Sequence, residues 1–150
     1  MPSEGEKMAV NVGQRHVPDT PGTKSLYAID KARDLAVHTI KICKNENIFL
    51  PEYRGAVTED LIKTAKDIFC DAWAANNVKV DNSPERWKQR KYLQERSAAG
   101  CNRMLAMIGL AKTLFHLRGK KVQYWSQLVV DTRGLLRKWQ EADTKRYGGL

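Results

Sequence analysis

Apolar side chains recur every three or four positions along most of this chain, and nowhere do they alternate with period two for long enough to make a strand. Four helices are predicted. The first covers 25–45, with Ile29, Ala32, Ala36, Ile40 and Cys43 on one face and Leu26 and Val37 beside them. The second covers 51–77 and carries Val57, Leu61, Ala65, Ile68, Ala72 and Ala75, a stripe widened by Ile62, Phe69 and Trp73. The third opens at Ser83-Pro84-Glu85, a cap residue followed by proline and an acid, and runs to Leu117 through Leu93, Gly100, Met104, Met107, Ala111 and Leu114. Gly119 is then the expected left-handed residue that ends it. The fourth covers 121–147, with Val122, Trp125, Val129, Thr132, Leu136 and Trp139 in seven-residue repetition.

Prolines fit this reading. Beyond Pro21 only Pro51 and Pro84 occur, each where a helix begins and a missing N–H costs nothing. Residues 1–24 hold three prolines and three glycines with few apolar side chains, and are expected to form a disordered arm. Residues 25–150 then form one domain, all-α, an up-down-up-down antiparallel four-helix bundle, because short connections favour antiparallel neighbours. The stripes on helices two to four are broader than a bundle seam requires. A generously packed core and a subunit interface both account for that width.

Composition changes the picture little until charge is located. Apolar content of 42% with 29% charged residues is ordinary for a globular protein. Cys43, Cys70 and Cys101 form no C-x-x-C pair, and all three fall on apolar faces. Buried, reduced thiols are expected, which favours the cytoplasm. The first 24 residues contain no apolar run of signal-peptide type, no stretch approaches the length of a membrane span, and no membrane association is expected.

The net charge of +9 is concentrated. Residues 83–121 carry ten cations, among them Arg86, Lys88, Arg90, Lys91, Arg96, Arg118, Lys120 and Lys121, against only Glu85 and Glu95. Cations near a helix C-terminus are favoured by the macrodipole, which accounts for Arg118, Lys120, Lys121, Lys145 and Arg146. Arg86, Lys88, Arg90 and Lys91 crowd first turns, where the same field opposes them. An anionic partner is the reading that explains them. In an antiparallel bundle this group lies near Arg137, Lys138, Lys145 and Arg146 at the end of helix four. Trp87 and Tyr92 are interleaved with it, either as stacking surfaces for unpaired bases or as packing residues. No sequence-reading motif accompanies them, so phosphate contact without base specificity is the expectation.

Catalytic signatures are absent: no phosphate-binding glycine loop, H-E-x-x-H or G-x-S-x-G occurs. No catalytic residue, metal ligand, cofactor or small-molecule substrate is expected. Asp67 and Asp71 are four apart without a Glu-x-x-His companion, and pair naturally with Lys63 and Lys66. One enzymatic alternative remains. Arg33-Asp34-Leu35-Ala36-Val37-His38 resembles the R-x4-H motif of HEPN ribonucleases, although it lies in the first helix rather than near the end of the bundle. A helical scaffold for an acidic protein partner is a further alternative.

The stretch Leu114-Phe115-His116-Leu117-Arg118-Gly119-Lys120-Lys121-Val122-Gln123-Tyr124-Trp125, followed by Leu135-Leu136-Arg137-Lys138-Trp139, is similar to the accessory variability determinants of diversity-generating retroelements. These are distantly akin to the four-helix proteins encoded in ribosomal-RNA intervening sequences. Ala75-Asn76-Asn77 and the opening of helix three at 86–94 fit the same layout. The resemblance covers residues 26–147. It implies a homo-oligomeric, pentameric ring with a basic surface that binds a reverse transcriptase and its template RNA, or an RNA–DNA hybrid. Such a protein supports error-prone complementary-DNA synthesis without being catalytic. On this chain the implied phosphate contacts are the basic residues of helix three's first half, Arg137 and Lys138 beside Trp139, and the Arg118–Lys121 turn.

Overall fold

The computed structural model describes residues 23–150, so residues 1–22 of the arm expected at 1–24 lie outside the described residues, while Thr23 and Lys24 already belong to the first helix. Four long helices follow one another: α1, Thr23–Cys43; α2, Glu59–Asn76; α3, Pro84–Phe115; and α4, Gly119–Tyr147. No strand occurs among the described residues, and the fold is all-α. Each helix packs chiefly on two others: α1 on α2 and α4, α2 on α3, and α3 on α4. The four therefore close into a ring around one core.

Contacts across the seams run in opposite numerical order. Residues 64, 68 and 71 of α2 meet 103, 97 and 96 of α3. Residues 90, 95 and 102 of α3 meet 143, 140 and 133 of α4. Between α1 and α4, the Lys31 carbonyl accepts from Thr132 and the Thr39 hydroxyl accepts from the Trp125 indole at 2.9 Å.

The core divides its volume unevenly. Helix α1 contributes Ala28, Ala32 and Ala36 beside Leu35, and α2 contributes Ala65, Ala72 and Ala75 beside Leu61 and Ile68, so small side chains are interspersed with large ones on both. Large side chains come mostly from α3 and α4: Met104, Ile108, Trp125, Leu136 and Trp139, all essentially inaccessible. Burying each stabilises the fold by roughly 1.5–3 kcal/mol. The Thr39 acceptor keeps the buried Trp125 N–H from going unpaired, which is the condition for a tryptophan at such depth.

Helix ends depart from expectation most at the start of α2 and between α3 and α4. Helix α2 does not begin at Pro51. A 3-10 turn, Pro51–Tyr53, and a π turn, Arg54–Thr58, come first, because Tyr53 stands at φ −106°, ψ 11°, outside the helical basin. The wider turn sends the adjacent Val57 and Thr58 inward together. Helix α3 starts as predicted, with the Ser83 hydroxyl accepting the Arg86 N–H at 3.2 Å. Its end is different: His116, at φ 55°, ψ 48°, is the left-handed residue, and Gly119 opens α4 instead. Cys43 and Cys101 are buried, which pushes each thiol up to about 12, but Cys70 is exposed. The buried stripe of α2 is Leu61, Ala65, Ile68, Ala72 and Ala75; Cys70 falls beyond its flank, and Trp73 is half-exposed.

The α2–α3 seam is the tightest. The Ser97 hydroxyl donates to the Ile68 carbonyl at 2.7 Å, and a Cβ added at Gly100 would lie 2.8 Å from Ile68 Cγ1. Gly100→Ala is expected to lower stability by about 1–3 kcal/mol through overpacking. Gly109→Ala, where a Cβ meets nothing within 4 Å, is expected to raise it by about 0.8–1 kcal/mol. Urea denaturation of the two variants checks the contrast.

Candidate nucleic-acid interface

The sequence-predicted cations separate into three environments. Arg90 departs from expectation most. It is buried, its Nε donates to Asp143 Oδ2 at 2.7 Å, and a second guanidinium nitrogen donates to the Val78 carbonyl at 3.2 Å. Its charge also lies over the rings of Trp139 and Tyr147, 5.3 and 5.9 Å from their centroids. The Gln94 amide donates to the same Asp143 oxygen at 2.7 Å. Arg90 is thus a structural side chain, turned inward because Asp143 repeats the inward spacing of Leu136 and Trp139 on α4. It cannot meet a phosphate.

Arg86 and Arg96 are exposed but engaged. Arg86 reaches back to Asp81 at 3.2 Å and to the Lys79 carbonyl at 3.5 Å, holding the connection at 77–83. In that connection Asp81 and Asn82 both adopt positive φ, at 48° and 61°, a conformation their short polar side chains tolerate. Arg96 pairs with Asp71 at 3.4 Å and lies 5.8 Å from the centroid of the exposed Tyr92 ring. Burial pushes the Asp71 carboxyl above its ordinary value, opposed by Arg96. These pairs are solvent-screened and contribute little net stability.

Lys88, Lys91, Arg118, Lys120, Lys121, Arg137 and Lys138 are exposed, and among the described residues none forms an ion pair. Lys88 and Lys91 stand near the start of α3, beside the end of α4, as the Trp87–Tyr147 ring contact at 5.5 Å shows. The Glu95–Gln140 and Asn102–Arg133 contacts continue the same seam. Arg137 also lies near Cys101, where its charge acts on the thiol, so it belongs to this seam too.

Arg118, Lys120 and Lys121 are not brought to that end. They open α4, whose length of roughly 43 Å, at 1.5 Å per residue, separates them from Lys145 and Arg146. Because α3 ends at Phe115, these cations belong to the first turn of α4, which contains no acid. The macrodipole that was expected to favour them opposes them, by roughly 0.3–1 kcal/mol each at low salt. Both of the last two helices therefore begin with cations at their positive ends.

The ribonuclease-like pair is engaged elsewhere. Arg33 donates to Asp30 at 2.8 Å and covers Phe69, while His38 sits edge-on to Tyr124. Burial, then Lys41, lowers the His38 pKa, so the imidazole is neutral near pH 7. No group of three His, Cys, Asp or Glu among the described residues is placed to hold a metal, and no helix among them is long and apolar enough to cross a membrane.

Sequence reasoning assigned no site role to Arg103 or Arg133, and it paired Asp67 and Asp71 with Lys63 and Lys66; Lys63 does hold Asp67, but Asp71 of α2 turns to Arg96 of α3. Asp60, Asp67 and Asp71 line a cleft of about 490 Å³ between the two helices, opposite Arg96 and Arg103. No family profile, no characterised protein and no solved structure matches this chain.

Removing Asp143 leaves the Arg90 charge buried and unpaired. Asp143→Ala is expected to cost about 3–5 kcal/mol in urea denaturation, whereas Arg90→Met with Asp143→Leu should recover most of that loss.

Proposed function

We propose that this chain is a non-catalytic RNA-binding protein serving the reverse transcriptase of a diversity-generating retroelement. Its basic surface holds template RNA, or an RNA–DNA hybrid, by the phosphate backbone. The observation that carries the reading is a set of exposed cations without carboxylate partners, Lys88, Lys91, Lys120 and Lys121, the last two in the first turn of α4 against its field. Fold stability gives no reason to keep them there, and phosphate does. Arg137 and Lys138 extend the surface along α4, and Tyr92 supplies a ring beside Arg96 on which a base can stack.

Within the same reading the topology is up-down-up-down and antiparallel, a choice supported by contact numbers that rise along one helix while falling along its neighbour. The protein acts as a homo-oligomeric ring of five in the cytoplasm. Half-exposed Trp73 on α2 with Leu26 and Val37 on α1 supplies apolar area for subunit contacts. The reverse transcriptase is the second partner. These assignments rest on the family resemblance of residues 26–147.

The test avoids Arg90, whose reversal would disrupt the fold. Lys88→Glu, Lys91→Glu and Arg137→Glu together are expected to weaken binding of single-stranded RNA with helicity unchanged. They should also reduce the slope of log affinity against log salt by about 2, at roughly 0.7 per phosphate contact. Unchanged affinity at low salt overturns the proposal; fluorescence anisotropy across a salt series reads both quantities.

A further inference from the structure

The cleft between α2 and α3 has a composition unlike the basic surface it adjoins. Its α2 wall carries Asp60, Asp67 and Asp71 with Lys63, and its α3 wall Arg96 and Arg103, three charges of each sign in all. A site for free phosphate would carry an excess of cations. A site for a divalent metal would gather the acids, and here Lys63 occupies Asp67 at 2.7 Å and Arg96 occupies Asp71 at 3.4 Å. Balanced donors and acceptors on opposing walls suit an uncharged, polar, planar group instead.

The floor points the same way. Gly100 and Ile68 approach so closely that no side chain rises between them, leaving a low apolar base under charged walls. A volume of about 490 Å³ is within the range of small-ligand sites. Arg96 joins the cleft to the outside. It lines the wall, pairs loosely with Asp71, and lies against the exposed Tyr92 one turn earlier on α3, with Lys88 one turn before that. A strand whose phosphates run along Lys88 and Lys91 would thus carry a base over this opening.

We propose that the cleft is a nucleobase pocket of the RNA surface and selects guanine. The proposal rests on the RNA-binding reading above and adds to it a preference among bases. Guanine presents two N–H donors on its Watson–Crick edge, which one carboxylate accepts together; Asp71, mostly shielded and facing the cleft, is that acceptor. The adjoining edge presents O6 and N7, the pair of acceptors that an arginine fork matches, and Arg103, whose Nε donates to Thr64 Oγ1 at 3.4 Å, supplies the fork with its two terminal nitrogens. Asp71 exchanges its single loose contact with Arg96 for two donors, and Arg96 is freed toward the backbone phosphate. Uracil has one N–H on its pairing edge, and adenine has an amino group without an adjacent ring N–H, so neither satisfies the carboxylate in the same way.

The experiment uses the full chain and two labelled RNA hexamers, one of uridine alone and one with guanosine at its third position. Anisotropy at low salt is expected to give about tenfold tighter binding of the guanosine hexamer, the scale of one good bidentate base contact. A hexamer with adenosine in that place should show no such gain. Asp71→Asn is expected to abolish the preference while uridine binding stays level or strengthens, since the substitution removes a negative charge. Equal affinity of the native protein for both hexamers overturns the pocket and leaves the basic surface standing. A preference that survives Asp71→Asn overturns it as well. Failure to bind either hexamer overturns the RNA reading and the pocket with it.

Discussion

The buried contact of Arg90 with Asp143 fixes how the second half of this fold is assembled. One carboxylate oxygen receives both the Arg90 guanidinium and the Gln94 amide, and the same arginine holds the Val78 carbonyl. Three separate stretches of chain are joined at one buried point: the turn after α2, the start of α3 and the end of α4. An ion pair at this depth adds little net stability, because removing both charges from water offsets their attraction. What it does supply is register. A slip of either helix by one residue would leave a charge alone in the core, so competing alignments of α3 on α4 are penalised heavily.

That register sets which cations face water. With Arg90 committed inward, Trp87 and Gln94 follow it to the core, and Lys88, Lys91 and Tyr92 are carried outward. The same packing turns Arg96 and Arg103 toward the acids of α2 and leaves Arg137 in the α3–α4 seam. Surface chemistry is here a consequence of core geometry: one strong cation is consumed by structure, and its neighbours are thereby displayed.

Much of the fold was legible in the sequence. Four periodic segments, the Ser83-Pro84 start and the heptads of α4 follow from spacing alone, since a helix turns 3.6 residues per cycle whatever its neighbours. The errors have identifiable causes. The inward face of α3 begins Trp87, Arg90, Gln94, Ser97, Cys101, a regular 3-4-3-4 spacing disguised by three polar residues. Arg90 was therefore read as part of the surface, although Asp143 at the matching position of α4 offered the signal. Gly119 looked like the residue that ends α3 because glycine is the usual left-handed residue, and His116 took that conformation instead. The cleft was not legible, because the spacing of Asp60, Asp67 and Asp71 puts them on one face of α2 without saying that Arg96 and Arg103 of α3 lie across from it. Lys88, Lys91, Arg137 and Lys138 were legible as exposed cations, since no apolar periodicity claims them.

The very short turn around His116 has a consequence for how the chain reaches this structure. Helices α3 and α4 meet across three residues of connection, so docking them sacrifices little chain entropy. Completing the ring is another matter, for Thr39 and Trp125 are 86 positions apart. The hairpin of α3 and α4, pinned by its buried pair, is therefore the pair of helices with the least chain entropy to lose on docking, whereas the seam of α1 on α4 closes a loop of 86 positions.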